Sequence, residues 1–159
     1  MSEREKQRIG SSEPQIELRS PVQPHEWEQY FDLRWRVLRA PWDQPRGSER
    51  DDHEAASSHL ALWDQGGRPV AVGRIHLNSP VEAQVRYMAV EPQFARGGLG
   101  GRILVGLEAR ARELGAKRVV LNSRELACRF YQQHGYAVCG PAETMFGQIP
   151  HARMMKELS

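Results

Sequence analysis

The chain has 159 residues, and its 40% hydrophobic and 26% charged content suits one globular domain large enough to bury a core and excludes general disorder. Its 22 Lys and Arg against 20 Asp and Glu leave a net charge of +2, too little to draw nucleic acid or an anionic membrane to a whole face, so any anion site must be local. No run approaches the ~18 apolar residues of a membrane span, and the start MSEREKQRIG lacks the apolar centre of a signal peptide, so the expected setting is the cytosol. Cys128 and Cys139 lie outside any CxxC or Cys/His ligand spacing and are expected to be buried free thiols.

In chain order, residues 1–14 are polar, charged and end in Pro14, which predicts a mobile tail followed by one domain over residues 15–159. Residues 15–20 alternate Ile16 and Leu18 inward as a short strand. Pro24 then opens a helix in which Trp27, Tyr30, Phe31, Val37 and Leu38 recur at helical spacing until Pro41. Residues 41–58 are polar with Pro and Gly and predict a long surface connection, a place where function often sits. Residues 59–63 and 70–77 are β-rich runs around the turn sequence DQGGRP, and Asn78-Ser79-Pro80 turns the chain again into a third strand at 83–90, stopped by Pro92. Residues 100–114 carry Ile103, Leu104, Leu107, Ala111 and Leu114 on one helical face and end at Gly115. A strand at 118–121, a helix at 124–134 ended by Gly135, and strands at 136–139 and 152–157 complete the series. The order β, α, three β, α, β, α, β, β predicts an α/β (α+β) sandwich: a mixed, mainly antiparallel sheet flanked by helices.

The segment YMAVEPQFARGGLGGRIL carries the most chemistry, because a strand runs through Arg96, Gly97, Gly98, Leu99, Gly100 and Gly101 into the strongest helix. Glycines let backbone N–H groups approach an anion, and the helix N-terminus adds partial positive charge; the bland reading is a tight strand-to-helix connection. No GxxxxGK[ST] is present and GGLGG does not extend to GxGxxG, which disfavours NTPases and dinucleotide enzymes.

The segment from Gln84 to Leu158 resembles the GNAT acetyltransferase superfamily. Gly98, Leu99, Gly100 and Gly101 match the last four positions of its Q/R-x-x-G-x-G/A turn, while Ala95 stands where Gln or Arg is usual, which removes one side-chain contact and leaves the backbone cradle. LNSRELACRFYQQHGY looks like the second signature of that superfamily, and IPHARM with LRWRVLRAPWDQPRGSE resembles its small bacterial ElaA-like branch. The resemblance implies the GNAT fold with its sheet splayed at a cofactor cleft, acetyl-coenzyme A as co-substrate, and direct acetyl transfer to a primary amine of a small molecule or protein. It implies that Met88, Ala89 and Val90 offer backbone groups to the pantetheine arm, that residues 96–101 hold the pyrophosphate, and that Asn122, Phe130 and Tyr131 complete the cofactor site. Tyr131 is implied as the general acid. A homodimer is compatible with the resemblance, and a non-catalytic acyl-coenzyme A sensor on the same fold is the alternative.

For the general base the sequence leaves Glu49, His76, Glu82, His151 or a water chain open. Glu49 lies in GSERDDHE, a run that reads either as a solvated acidic loop or as a rim for a cationic amine. No metal is expected, since DDHE matches no ligand spacing and thioester transfer needs none, and no nucleic-acid or membrane partner is expected.

Overall fold

A computed structural model describes residues 15–159, and the expected tail lies outside the described residues. The chain forms β1 (Glu17–Arg19), α1 (Pro24–Leu38), β2 (Ser58–Trp63), β3 (Pro69–Ser79), β4 (Glu82–Val90), α2 (Leu99–Glu113), β5 (Arg118–Arg124), α3 (Cys128–Gln133), β6 (Ala137–Met145) and β7 (Ile149–Glu157), with single 3₁₀ turns before α2 and α3 and after α1. This is the predicted order, in one seven-stranded sheet running β1-β2-β3-β4-β5-β7-β6. Among the described residues only β4 and β5 pair in parallel. The fold class expected from the sequence is the one observed.

Local chemistry sets the helix ends. Gln23 and Glu26 form a reciprocal cap with Pro24 in the first turn of α1, and α2 ends at Gly115, whose φ of 90° admits the left-handed turn. Successive residues of β2 serve opposite faces: Ala61 and Trp63 join Tyr30, Phe31 and Leu33 of α1, whereas Leu62 joins Ile103, Leu104 and Leu107 of α2. Phe130 and Tyr131 of α3 pack on the α2 side. On that side Glu108 accepts hydrogen bonds from the Tyr136 hydroxyl at 2.8 Å and from Lys156 Nζ at 3.0 Å, tying α2 to the β6–β7 hairpin.

Two expectations are corrected. The helix expected over 124–134 is a 3₁₀ turn followed by six residues of α-helix, and the strands expected at 136–139 and 152–157 are halves of a longer hairpin. Pro141 and Pro150 hid that hairpin, yet β6 is an edge strand and Pro150 is the second residue of β7, positions at which a missing N–H is tolerated. Both cysteines are free, but Cys139 is exposed on β6 and Cys128 is half-buried, not buried as expected.

Gly73 in β3 lies directly under α2. A Cβ there would sit 2.5 Å from Ile103 Cγ2 and 2.9 Å from Leu107 Cδ1, both fully buried, so α2 reaches the sheet only because the side chain is absent. Gly73→Ala is expected to lower stability by about 1–3 kcal/mol through overpacking, read as a fall in the urea midpoint with an unchanged slope.

Candidate active site

The parallel pairing of β4 with β5 lasts for three residues, 82–84 against 118–120, and then stops. Beyond it, residues 85–90 pair only with β3 and residues 121–124 only with β7, so the two strands diverge with facing backbone edges that have no strand partner. Divergence is reinforced by a bulge: Arg74 pairs Arg86 and Val72 pairs Ala89, so Tyr87 and Met88 together oppose Gly73. Tyr87 carries the bulge with a φ of 57°, a left-handed conformation that costs an L-residue about 1–2 kcal/mol and must be held by its surroundings.

A cavity of about 350 Å³ occupies this opening. Its walls are residues 84–88 of β4, residues 121–124 of β5, Tyr131 of α3, Leu38 and Arg39 at the end of α1, and Glu143, Met145, Phe146, Ile149 and His151 of the hairpin. The Tyr131 hydroxyl crosses the opening toward Met88 Sδ at 3.7 Å, and burial pushes its pKa up to about 12. Asn122 lies on the β5 wall.

At the far end of β4 the chain turns through Arg96 and Gly98, both left-handed with φ of 67° and 78°, into α2. Gly98 is the N-cap and makes no side-chain cap, and the first intrahelical bond is donated by Arg102, so the N–H groups of Leu99, Gly100 and Gly101 have no partner within the helix. The glycines have different jobs. A Cβ on Gly101 would meet His134 at 2.9 Å, so this glycine lets the end of α3 approach α2; one on Gly100 would make an ordinary contact with Phe130 at 3.4 Å, and one on Gly98 meets nothing within 4 Å, so there the φ is what demands glycine.

The acidic run of the 41–58 connection is not a solvated loop. Glu54 Oε1 accepts hydrogen bonds from Arg34 Nη1 at 2.8 Å and Arg74 Nη1 at 2.7 Å, two arginines whose side chains are 0% exposed. Asp51 takes Arg74 on both oxygens, at 2.6 and 3.0 Å, and Arg86 at 2.8 Å. Burial pushes the Asp51 carboxyl up, but the hydrogen bonds from Arg74 and the charges of Arg74 and Arg86 outweigh it and hold the group well below the usual carboxylate range. Tyr30 and His59 complete the cluster: the tyrosine hydroxyl donates to Gly73 O and accepts from Arg34 at 2.9 Å. The Tyr87 ring lies among the guanidinium carbons of Arg34 and Arg74, 4.7 and 4.9 Å from its centroid.

The base candidates separate. Glu49 is buried in the connection and accepts from Gly47 N–H at 2.7 Å; it does not line the cavity. His76 stacks on His53 with ring centroids 4.6 Å apart and contacts Arg74 and Asn78; it too lies outside the cavity wall, and burial with the Arg74 charge lowers its pKa. Glu82 pairs with Arg118 at 3.0 Å. His151 does line the cavity, with Nδ1 2.8 Å from Ile149 O. A carbonyl can only accept, so Nδ1 is the donor in this contact and Nε2 is the ring nitrogen left outside it.

Sequence reasoning missed Arg34, Arg74 and Tyr87. The signal was present: Arg34 continues the spacing of the buried positions Tyr30 and Phe31, and Arg74 interrupts the apolar run VAVGRI, both marks of a buried charge that requires a partner.

Known proteins resemble this arrangement. The model of the acetyltransferase (GNAT) family matches residues 27–136. The uncharacterized N-acetyltransferase YjcF of Bacillus subtilis is 32% identical over 127 residues, 80% of this chain and 89% of that protein. Among solved structures, an aminoglycoside 6'-N-acetyltransferase complexed with coenzyme A superposes with a TM-score of 0.75 at 17% identity, covering 90% of this chain and 96% of the other. ElaA of Escherichia coli superposes at 0.73 and 17% identity over 91% of this chain and 100% of its own.

Replacing Glu54 by Gln leaves two buried guanidinium groups short of charge, and loss of one member of such a cluster costs about 3–5 kcal/mol. Glu54→Gln is therefore expected to lower the denaturation midpoint far more than the exposed control Asp52→Asn, measured by urea titration of tryptophan fluorescence.

Proposed function

The chain belongs to the acetyltransferase (GNAT) family, and we propose that it moves an acetyl group from acetyl-coenzyme A directly to a primary amine, with no acyl-enzyme. The observation that carries this reading is the break in β4–β5 pairing, flanked by the uncapped N-terminus of α2 on one side and by Tyr131 on the other. The residues fit the coenzyme. The β4 edge that faces away from β3, offered by Met88 and Val90 on either side of Ala89, which pairs with Val72, suits the two amides of pantetheine, and the N–H groups of residues 98–101 with the Arg96 side chain suit a pyrophosphate. Asn122 extends the β5 wall toward the same arm, and Phe130 covers Gly100.

When bound, the coenzyme supplies a thioester carbon. His151 Nε2 would accept the proton that the amine gives up as its nitrogen bonds to the carbonyl carbon, and Tyr131 would give its hydroxyl proton to the sulfur released as the carbon–sulfur bond breaks, leaving amide and thiol, with the proton held by His151 available to restore the phenol. A phenol with a pKa of about 12 stays protonated across the working range, so it can always donate. A backbone N–H at the Tyr87–Met88 bulge is the donor for the carbonyl oxygen. Cys128 is outside the cavity wall, with its Sγ toward Arg124 O at 3.6 Å, and takes no part.

Titration calorimetry with acetyl-coenzyme A, coenzyme A and ATP tests the cofactor site. Saturable binding of both coenzyme species and none of ATP is expected. Gly98→Glu should abolish binding, because it sets a carboxylate at the helix N-terminus without a packing clash, whereas Gly98→Asn, tolerant of a left-handed φ, should keep it. No binding to the folded wild type overturns the reading. Tyr131→Phe is expected to lower kcat by about 100-fold or more while coenzyme A still binds. Because the shift is upward, the wild-type rate should not fall as pH passes the ordinary phenol value of about 10, and should fall only toward about 12; a stopped-flow pH profile reads this.

A further inference from the structure

The acceptor end of the cavity carries an unexpected charge. The acidic connection offers no free carboxylate there, because Asp51 and Glu54 are committed to Arg34, Arg74 and Arg86. Three arginines and two carboxylates leave one positive charge, and Arg86 is the member that lines the cavity, with its side chain 42% exposed. Asp51 engages one nitrogen of Arg86, Nη1, and no other hydrogen bond of that side chain is formed among the described residues. Arg39 stands beside it. Its Nε and Nη1 donate to Ser48 O and Leu38 O, which fixes the guanidinium, and its carbon lies 5.4 Å from the Tyr87 centroid while that of Arg86 lies 4.7 Å from the same centroid. No carboxylate among the described residues is bonded to Arg39. Two like charges held over one ring, both lining the cavity, are an arrangement that an anion relieves.

The rest of the lining agrees. Leu38, Trp42, Met145 and Phe146 give the same region apolar surface, and a volume of about 350 Å³ admits a small group beside the acetyl thioester. Glu143 is the single carboxylate of the lining and stands beside the register pair of Ala142 with His151, on the wall opposite β4. A zwitterion would find its two charges matched on opposite walls, ammonium toward Glu143 and His151, carboxylate toward Arg39 and Arg86. A polycation would meet Arg39, Arg86 and Arg124.

We propose that the acceptor is a small primary amine bearing a carboxylate, with Arg39 and Arg86 receiving that carboxylate over the Tyr87 ring. The proposal rests on the acetyltransferase reading above. Arg86 is a binding residue in it, and Asp51 is a positioning residue that holds Arg86 at the wall.

The test is initial-rate acetylation with acetyl-coenzyme A of a panel of α-, β- and ω-amino acids, each matched with the amine that lacks the carboxylate, with spermidine added. Wild type is expected to favour at least one amino acid over its matched amine by about 10-fold or more in kcat/KM. Arg86→Gln should erase that ratio, lowering kcat/KM for the acid by about 10- to 100-fold, mainly through KM, as expected for a lost charged hydrogen bond. Arg86→Lys should restore part of it. Coenzyme A affinity, measured on the same samples, reports folding and the cofactor site separately. Equal rates on acids and matched amines, preference for spermidine, turnover of no amino acid, or an equal loss on both members of a pair in Arg86→Gln overturns the proposal while coenzyme binding stands. Failure of the wild type to bind coenzyme A overturns the acetyltransferase reading and this proposal with it.

Discussion

Backbone N–H and C=O groups must find partners, and between β4 and β5 this fold withholds them. Three residues of parallel pairing fix the two strands at one end, and the remainder of each strand turns one edge to an open cleft. An isolated edge of that kind would be a liability in a sheet centre, open to water or to another chain. Its persistence requires that the strands be prevented from closing on each other. The Tyr87–Met88 bulge does this from the β4 side by twisting the strand, and the seven-residue register of β5 with β7 does it from the other, since β5 is already bound to the hairpin and cannot swing across.

The bulge in turn depends on charge. A tyrosine at a φ of 57° relaxes unless the surrounding structure over-determines it. The ring is over-determined by the guanidinium groups about it, and those are placed by Glu54 and Asp51 from the long connection after α1. A buried pair of arginines contributes little net stability compared with apolar side chains of equal size, because desolvation offsets the attraction. What it supplies is position: Arg34 comes from α1, Arg74 from β3, and the carboxylates from residues 51–54, so a single cluster ties three separated segments to the strand that shapes the cleft. One Glu54 oxygen serves both arginines, while its other oxygen and both Nε atoms are buried without a hydrogen-bond partner, so Arg34 and Arg74 are held to a single shared acceptor.

How far this could be read from the sequence follows from what periodicity registers. The amphipathic patterns of α1 and α2 and the β-rich runs of β2 to β4 placed every element through Glu113 within about two residues, because each is decided by apolar residues at local spacing. The glycine turn is legible as an anion site by composition, but not that Gly101 answers to His134 while Gly98 answers to its own φ; that division is a matter of distant neighbours. The full length of the β6–β7 hairpin is not legible in the sequence, because Pro141 and Pro150 interrupt its β-rich runs and only the strand order shows that β6 is the edge. For the general base residue type alone leaves Glu49, His76, Glu82, His151 or a water chain open; of the four side chains only His151 lines the cavity, because the connection that carries Glu49 folds onto α1, the ring of His76 is stacked on His53 and Glu82 pairs with Arg118.

That last point changes how the acidic run acts on the site. Read as free carboxylates, GSERDDHE would make the cleft mouth anionic and favour cationic acceptors. Folded, Asp51 and Glu54 are consumed by arginines that the sequence scatters over positions 34, 74 and 86, and the sign at the wall becomes that of the member left over. Net charge along a segment is thus a poor guide to the field in a pocket when buried residues elsewhere in the chain neutralise it, since attraction between buried charges is screened far less than that between solvated ones. In this fold the carboxylates that appear most available in the sequence set the geometry of β4, and the guanidinium groups they position are what an acceptor entering beside Tyr87 would meet.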